Sequence, residues 1–293
     1  MNLRLKQTES PGQAVRRVCR QHVDQALANL ERAHQPEGVH EVRKEIKRMR
    51  AIFRLTRGSL SPKEYRKTAK LMRLAAKPLA ASRDARVTRK AFASLVGPKA
   101  RQFPNLQSAL KTFCLHASRG FKNQDFGALT RFILKKAGGR LDDLKPNQAG
   151  WVELKACLKK SYARGRDAGE LARRRPEPDH FHEWRKQVKN LWYQLDFLCP
   201  DWPTETKVML QGLEELGEQL GDEHDLVLLE SFAKDHAELS QEAAALQVLI
   251  DSQRSRFGER VRQLGARLYA SRPDLFCGQL EQDWSAWRKR QAH

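Results

Sequence analysis

One short pattern, HExRKxxK, occurs twice in the chain, first from His40 to Lys47 and again 142 positions later from His182 to Lys189. A repeat of this kind indicates that one structural unit is used twice. Apolar residues recur at three- and four-residue spacing through nearly the whole sequence, and no alternating segment is long enough to be a strand. The sequence therefore predicts an all-α protein with two tandem halves.

Both copies of the pattern form two-sided helices when they are drawn at about 100° per residue. In the first copy the cationic side carries His40, Arg43, Lys44, Lys47, Arg50 and Arg54. Its opposite side carries Val42, Ile46, Met49, Ile52 and Phe53. In the second copy the cationic side carries His182, Arg185, Lys186 and Lys189, and the packing side carries Trp184, Val188, Leu191 and Leu195. We expect the apolar sides to be buried and the cationic sides to remain accessible.

A second correspondence supports the duplication, because LAASRD at residues 79–84 aligns with LGDEHD at residues 220–225 at an offset of 141. Small residues in and before these segments predict close approach to the motif helix. They are Ala75, Ala76, Ala80 and Ala81 in the first copy and Gly217 and Gly221 in the second. Pro78 should interrupt the first segment. A polar stretch from Gly138 to Gly150 marks the boundary, so we predict one helical repeat over 1–143 and another over 144–293.

Charge is the outlying property of the composition, at +20 for 293 residues. The first 146 residues hold 33 Lys and Arg against 11 Asp and Glu, so the whole excess lies there. At 40% hydrophobic the chain is typical of a globular protein. A globule that basic repels itself, and the partner classes that relieve the repulsion are nucleic acid, an anionic membrane or a phosphate polymer.

The five cysteines are widely spaced and none forms a CxxC motif, so we expect reduced core residues. The N-terminal residues lack the apolar run of a signal peptide. Nothing approaches the roughly 18 consecutive apolar residues that a membrane span needs. We therefore expect a cytoplasmic protein without a membrane partner.

The cationic ladder suits a linear polyanion. Arg offers a forked donor to phosphate oxygens, Lys a mobile charge, and His a charge that changes near neutral pH. An arbitrary basic helix face is more often simply solvated, but here only Glu41 and Glu45 accompany the cations, and the arrangement recurs. Further cations on the preceding helices could complete a basic channel: Arg20, Lys160, Arg164 and Arg166.

The second ladder is shorter than the first. Where the first copy has Arg50, Ala51 and Arg54, the second has Trp192, Tyr193 and Asp196. We therefore expect the N-terminal half to bind more strongly. Trp192 and Tyr193 are aromatic residues that either stack on a base or belong to the core, and helical spacing favours the core.

Catalytic motifs are not evident. An HExxH zinc site needs a second His where this chain has Lys44 and Lys186. His224-Asp225 is similar to a ligand pair of metal-dependent phosphohydrolases, but the first copy has Arg83-Asp84 instead. P-loop and GxGxxG motifs are both missing. We predict no catalytic residues, no metal and no cofactor.

The two motif helices, each followed by LAASRD or LGDEHD, resemble the CHAD family, the conserved histidine α-helical domain, over nearly the whole chain. The resemblance implies two four-helix-bundle-like halves related by a pseudo-two-fold axis around a basic central groove. It also implies binding of inorganic polyphosphate and association with polyphosphate granules. His40, Arg43, Lys44, Lys47 and Arg50, with His182, Arg185, Lys186 and Lys189, would then line the groove. Many relatives carry an N-terminal triphosphate tunnel domain with an ExExK signature, which this sequence lacks, so we expect a stand-alone module.

These observations lead to one functional hypothesis and two alternatives. The hypothesis is non-enzymatic binding of inorganic polyphosphate in the groove between the two repeats. The first alternative is a helical nucleic-acid binder, although no DNA-reading motif is evident. The second is a metal-dependent hydrolase of polyphosphate or phosphate esters, which would require turnover.

Overall fold

A computed structural model describes residues 2–32, 36–123, 126–144, 150–198, 202–236 and 240–290, without the side chains of 36–37, 80–83, 118–123, 204 and 240. Within these ranges the chain contains no strand, so the all-α prediction is confirmed. The described residues form these α-helices: α1 Pro11–Glu31, α2 Pro36–Phe53, α3 Pro62–Leu74, α4 Ala80–Val96, α5 Pro104–Asn123, α6 Phe126–Asp143, α7 Trp151–Arg174, α8 Pro178–Leu198, α9 Thr204–Lys234, α10 Ser240–Leu268 and α11 Pro273–Lys289.

Local sequence sets where several helices begin. The Ser10 hydroxyl accepts a hydrogen bond from the Gln13 backbone N–H, and the Gln13 side chain accepts one from the Ser10 N–H, which is a capping box. Ser61 caps α3 by accepting from the Glu64 N–H. Proline follows both caps, where its missing N–H costs no hydrogen bond. Each cap stabilises its helix by about 1 kcal/mol.

The two copies of the motif lie on α2 and α8, and their apolar sides are buried as predicted. Val42, Ile46 and Met49 are at most 1% exposed, and Val188, Leu191 and Leu195 are fully buried. Helix α1 packs along α2, while α7 and α9 pack along α8. Because burying one such side chain contributes about 1.5–3 kcal/mol, the apolar sides fix the rotation of both helices and turn their cationic sides outward.

The prediction for Pro78 is confirmed. A short 3₁₀ turn at Lys77–Leu79 separates α3 from α4, whereas α9 runs unbroken over the corresponding part of the second copy. The glycines of α9 receive side chains of the second motif helix, as their size predicts. A Cβ atom at Gly217 would lie 2.7 Å from Cε of Lys189, and one at Gly221 would lie 3.0 Å from the Arg185 guanidinium.

Two hydrophobic clusters hold the helices together, and each includes residues from both predicted repeats. The larger one joins α1 and α2 to α7, α8, α9 and α11. The smaller one joins Phe92, Phe103 and Leu110 of α4, α5 and their connection to Leu229 and Ile250 of α9 and α10. The predicted boundary at 143/144 falls between α6 and α7 and stays a prediction.

The described cysteines form no disulfide with one another: Cys19, Cys114, Cys157 and Cys277. Burial raises the pKa of the Cys19 thiol, and it raises that of Cys277 to about 11. Cys199 lies outside the described residues. Thiols held neutral in this way are typical of the reduced core residues that the sequence predicts.

Among the described residues, we find no helix whose length and apolar content would let it cross a bilayer.

Candidate functional site

The N-terminal part of the α2 cationic side gathers charges from two helices. His40 is exposed, and Arg86 of α4 lies close enough to act on it electrostatically, together with Lys44 and Lys47. Partial burial of the ring lowers the pKa of His40 below 6.5, the Arg86 cation adds to the effect, and Glu41 opposes it. Lys44 also pairs with Glu41 at 3.3 Å. The His40 end of α2 is thus already crowded with positive charge.

Arg43 anchors the middle of the same helix. Its Nη1 donates to the backbone oxygen of Ala76 at 3.0 Å, at the turn between α3 and α4. That bond fixes the guanidinium group of the half-buried Arg43 side chain. Arg43 therefore also has a structural role in seating α2 against the segment after α3.

The C-terminal part of α2 carries a second group of cations. Arg50 is half-buried, and its neighbours include Arg54 and Arg73. Burial lowers the pKa of Arg50, and the two neighbouring guanidinium groups lower it further. Arg57 also belongs here, since it lies over the ring of Tyr65 at 5.8 Å from the ring centroid. These like charges repel one another in the free protein.

The second motif helix, α8, holds its cations against α9. His182 stacks on His224 with 4.2 Å between ring centroids, and the Arg185 guanidinium rests against Gly221. Lys186 is exposed and pairs with Glu183 at 3.2 Å. The His224-Asp225 pair therefore borders the head of the second motif.

Lys189 is half-buried on α8. Its ammonium lies 4.6 Å from the centroid of the Trp192 ring. Burial lowers the pKa of Lys189, while Glu218 and Glu214 of α9 oppose the shift and Arg185 and Arg48 add to it. Lys189 of α8 therefore has carboxylates among its charged neighbours, whereas the charged neighbours that lower the pKa of Arg50 on α2 are arginines.

The two motif helices contact each other near their C-terminal ends. Arg54 donates to the Asn190 side-chain oxygen at 3.0 Å, and the Gln194 amide donates to the backbone oxygen of Ala51 at 3.0 Å. Arg48 lies over the Tyr193 ring at 5.9 Å. Asp196, the residue that departs from the basic pattern, pairs with Arg4 at 2.7 Å.

The four cations predicted on the preceding helices are not placed together. Arg20 pairs with Asp24 and with Asp142 of α6, so it lies between α1 and α6. Lys160 and Arg164 are exposed on α7. Lys160 and Arg57 both act electrostatically on Cys157, so Lys160 lies near the C-terminal group of cations on α2. Arg166 is close to Tyr162, whose hydroxyl donates to the backbone of α10 and the turn after it.

Several neighbours of the site were not identified from the sequence. Arg48, Arg57, Arg73 and Arg86 all lie beside motif cations, yet they belong to no repeated pattern. Arg73 and Arg86 come from α3 and α4. The signal that could have found them is the aligned LAASRD segment, which places these helices against α2.

Glu45 differs from the sequence expectation in a way that favours the basic character of α2. It is buried between α1 and α2, 4% exposed, with Oε2 2.5 Å from Nδ1 of His22. Its other oxygen lies 3.4 Å from Arg48. Of the two acidic residues in the motif stretch, Glu41 alone borders the cationic side.

In the part of the chain that the structure describes, no group of three or more His, Cys, Asp and Glu side chains comes together as a metal site.

The family model for the CHAD domain matches residues 17–234, which is more than half of the chain. The chain belongs to the CHAD family. Among solved structures, the crystal structure of the CHAD domain from the plant Ricinus communis is similar to this CHAD protein, with a TM-score of 0.62 and 17% sequence identity. The similarity covers 92% of this chain and 95% of the plant chain. A search of curated proteins gives no match.

Proposed function

We propose that this CHAD protein binds inorganic polyphosphate along the cationic sides of α2 and α8, in a groove between the two repeats, and that it acts without turnover. Association with polyphosphate granules in the cytoplasm follows from such binding. Cations contributed by two contacting helices, and by α3 and α4 around them, carry the proposal. A flexible polyanion is the ligand class that relieves all of their repulsions at once.

The surroundings of His40, Arg50 and Lys189 support this choice. Each of the three has a lowered pKa, with burial as the first cause and neighbouring cations as a further one. A positive group that is partly desolvated among like charges gains most from an arriving phosphate, because the new ion pair forms where water screens it little. The free protein therefore stores electrostatic repulsion that a phosphate chain relieves.

Polyphosphate is preferred to nucleic acid because the aromatic residues beside the ladder have other partners. Trp192 lies against Lys189, and Tyr193 lies under Arg48 and is half-buried. Each ring already has a cation as its neighbour, which competes with base stacking, whereas phosphate groups require only donors. The nucleic-acid alternative remains the second candidate because phosphate contacts alone give binding to any duplex.

We also propose that the first repeat contributes most of the affinity. Around α2 the additional neighbours are cationic, namely Arg73 and Arg86. Around α8 they include Glu214, Glu218 and Asp222 of α9. Coulombic attraction to a polyanion is weakened wherever a carboxylate shares the surroundings of a cation.

A binding experiment tests the proposal. Long-chain polyphosphate, orthophosphate and duplex DNA are titrated in the same salt, and we expect long polyphosphate to bind far more tightly than the other two. Affinity should fall steeply with added salt, since binding releases counterions. Equal affinity for DNA and polyphosphate at matched charge would overturn the proposed selectivity.

A matched pair of variants locates the site. Lys44→Gln with Lys47→Gln removes two charges from the cationic side of α2, and we expect a loss of at least about tenfold in affinity. Lys135→Gln with Lys136→Gln removes the same charge from exposed positions of α6 and should change affinity far less. Equal losses would mean that net charge, and not this site, accounts for binding.

The proposal of binding without turnover has its own assay. Labelled polyphosphate is incubated with the purified protein and Mg²⁺ or Mn²⁺, and release of orthophosphate is followed. We expect none above the buffer control. Release that disappears in a His224→Ala variant would instead favour the hydrolase alternative.

A further inference from the structure

A cavity of about 600 Å³ lies between α4 and α5, away from the α2–α8 contact. The two helices run antiparallel. At one end Cys114 Sγ of α5 lies 3.5 Å from the backbone oxygen of Ala85 of α4. At the other end, near the connection between the helices, the Phe92 and Phe103 rings meet edge to face at 6.0 Å. The cavity therefore lies along the paired helices, between the Ala85–Cys114 contact and the helix connection.

The floor of the cavity is apolar. Phe92, Val96 and Leu110 belong to the smaller hydrophobic cluster and line the cavity floor, and Leu115, 49% exposed, stands at its side. Ligand pockets typically enclose about 300–1,000 Å³ between mostly apolar walls. Phe92, the aromatic residue among the described lining residues, is engaged with Phe103. A flexible aliphatic body thus fits these walls better than a stacked ring.

Positive charge lies at the rim of the cavity. Arg86 and Arg89 lie one helical turn apart on the N-terminal half of α4, and Lys111 lines the same cavity from α5. Arg89 and Lys111 are exposed, whereas Phe92 and Leu110 beside them are buried. None of the described residues that line the cavity is acidic. Cations at the exposed rim and hydrocarbon on the floor match an amphiphile that has an anionic head and a single tail.

We propose that the α4–α5 cavity binds such a single-chain aliphatic amphiphile. The tail lies along Phe92, Val96 and Leu110, and the carboxylate or phosphate head lies at Arg89 and Lys111. This site borders the proposed polyphosphate site, because Arg86 lines the cavity and also acts on His40. Variants of Arg86 would disturb both sites and are not used in the test.

The probe is cis-parinaric acid, a fluorescent fatty acid, added to the full chain below micellar concentrations. We expect saturable binding of one probe per chain. Displacement by saturated carboxylates from eight to sixteen carbons should strengthen about threefold to fourfold per added methylene until the cavity is full. Dodecanoate and dodecyl phosphate should both compete, and their ratio identifies the preferred head, whereas dodecyltrimethylammonium should not compete.

Variants locate the occupant. Ala93 is exposed on α4 and lines the cavity, so Ala93→Trp fills it without touching the core, while Ser94→Trp places the same ring on α4 outside the cavity. We expect Ala93→Trp to weaken probe binding at least about tenfold and Ser94→Trp to leave it unchanged. Arg89→Gln should weaken anionic amphiphiles, and Lys99→Gln should not. All four variants should bind polyphosphate like the parent chain.

Four outcomes would overturn the inference. One is the lack of saturable probe binding by the parent chain. The second is equal binding by the Ala93→Trp and Ser94→Trp proteins, and the third is affinity that does not change with chain length. The fourth is concentration-dependent self-association that Ala93→Trp abolishes, which would assign the cavity to a second copy of the chain. Each is read independently of polyphosphate affinity.

Discussion

The Nδ1 atom of His22 lies 2.5 Å from Oε2 of Glu45, and both side chains are buried where α1 packs on α2. This pair turns the Glu45 carboxylate toward α1 and away from the cationic side of α2. Nη1 of Arg48 lies 3.4 Å from the other oxygen of the Glu45 carboxylate. The contact therefore serves the packing of two helices and, at the same time, keeps a negative charge away from the proposed polyphosphate site.

Removing the buried partner should destabilise the fold. Glu45→Ala leaves the buried His22 ring and Arg48 without their carboxylate, and removing the partner of a buried hydrogen-bonding group costs about 1–3 kcal/mol. We expect a loss of this order in the free energy of unfolding, measured by urea denaturation. Glu41→Ala, at a half-exposed position of the same helix, should change it by less than about 1 kcal/mol. Similar losses for the two variants would contradict the role given to the pair.

Removing the acid that borders the cationic side of α2 should strengthen binding. Glu41 pairs with Lys44 at 3.3 Å and lies beside His40. Exposed pairs contribute about 0–1 kcal/mol, so Glu41→Gln should tighten polyphosphate binding about twofold to fivefold, measured by calorimetric titration. Glu183→Gln makes the same change beside Lys186 on α8 and should have the smaller effect. A larger effect at Glu183 would reverse the proposed order of the two repeats.

Binding should strengthen in acid because of His40. Burial and the cations Arg86, Lys44 and Lys47 lower its pKa below 6.5 in the free protein, against the smaller opposing effect of Glu41. A bound phosphate favours the imidazolium, so binding is coupled to proton uptake and tightens as pH falls from 7.5 toward 5.5.

The control for this pH dependence is a pair of histidine variants. His40→Gln should flatten the profile of dissociation constant against pH, measured with long chains whose interior phosphates stay ionised. His116→Gln, at an exposed position of α5, should retain it. Parallel profiles for the two variants would show that His40 is not the titrating group.

The position of Lys189 should depend on Gly217. A methyl group there would lie 2.7–2.8 Å from Cε and Cδ of Lys189, so the lysine must move. Because alanine has the higher helix propensity, by about 1 kcal/mol, we expect Gly217→Ala to keep or raise the free energy of unfolding while weakening polyphosphate binding about twofold to fivefold. Gly278→Ala, which meets nothing within 4 Å, should leave binding unchanged. Unaltered binding in both variants would remove Lys189 from the site.

Periodicity and the repeat were sufficient to predict the helical class, the buried sides of α2 and α8, and the break at Pro78. The periodicity and the repeat did not predict contacts between helices that are far apart in sequence. Nothing in the pattern around Glu45 indicates that it meets His22, since that depends on how α1 and α2 pack. Arg20 was expected beside the motif helices, but Asp142, far away in sequence, draws it to α6. The cavity between α4 and α5 likewise arises from packing and has no motif.

The smaller hydrophobic cluster, shared by α4 and α5 with α9 and α10, has a consequence for dissection of the molecule. If residues 1–143 and 144–293 were produced as separate polypeptides, each would expose apolar side chains that are buried against the other. Each would therefore be prone to aggregate alone. Mixed together, they should reassemble and regain a common fold. The two fragments could then serve as a split reporter, whose signal appears when they associate.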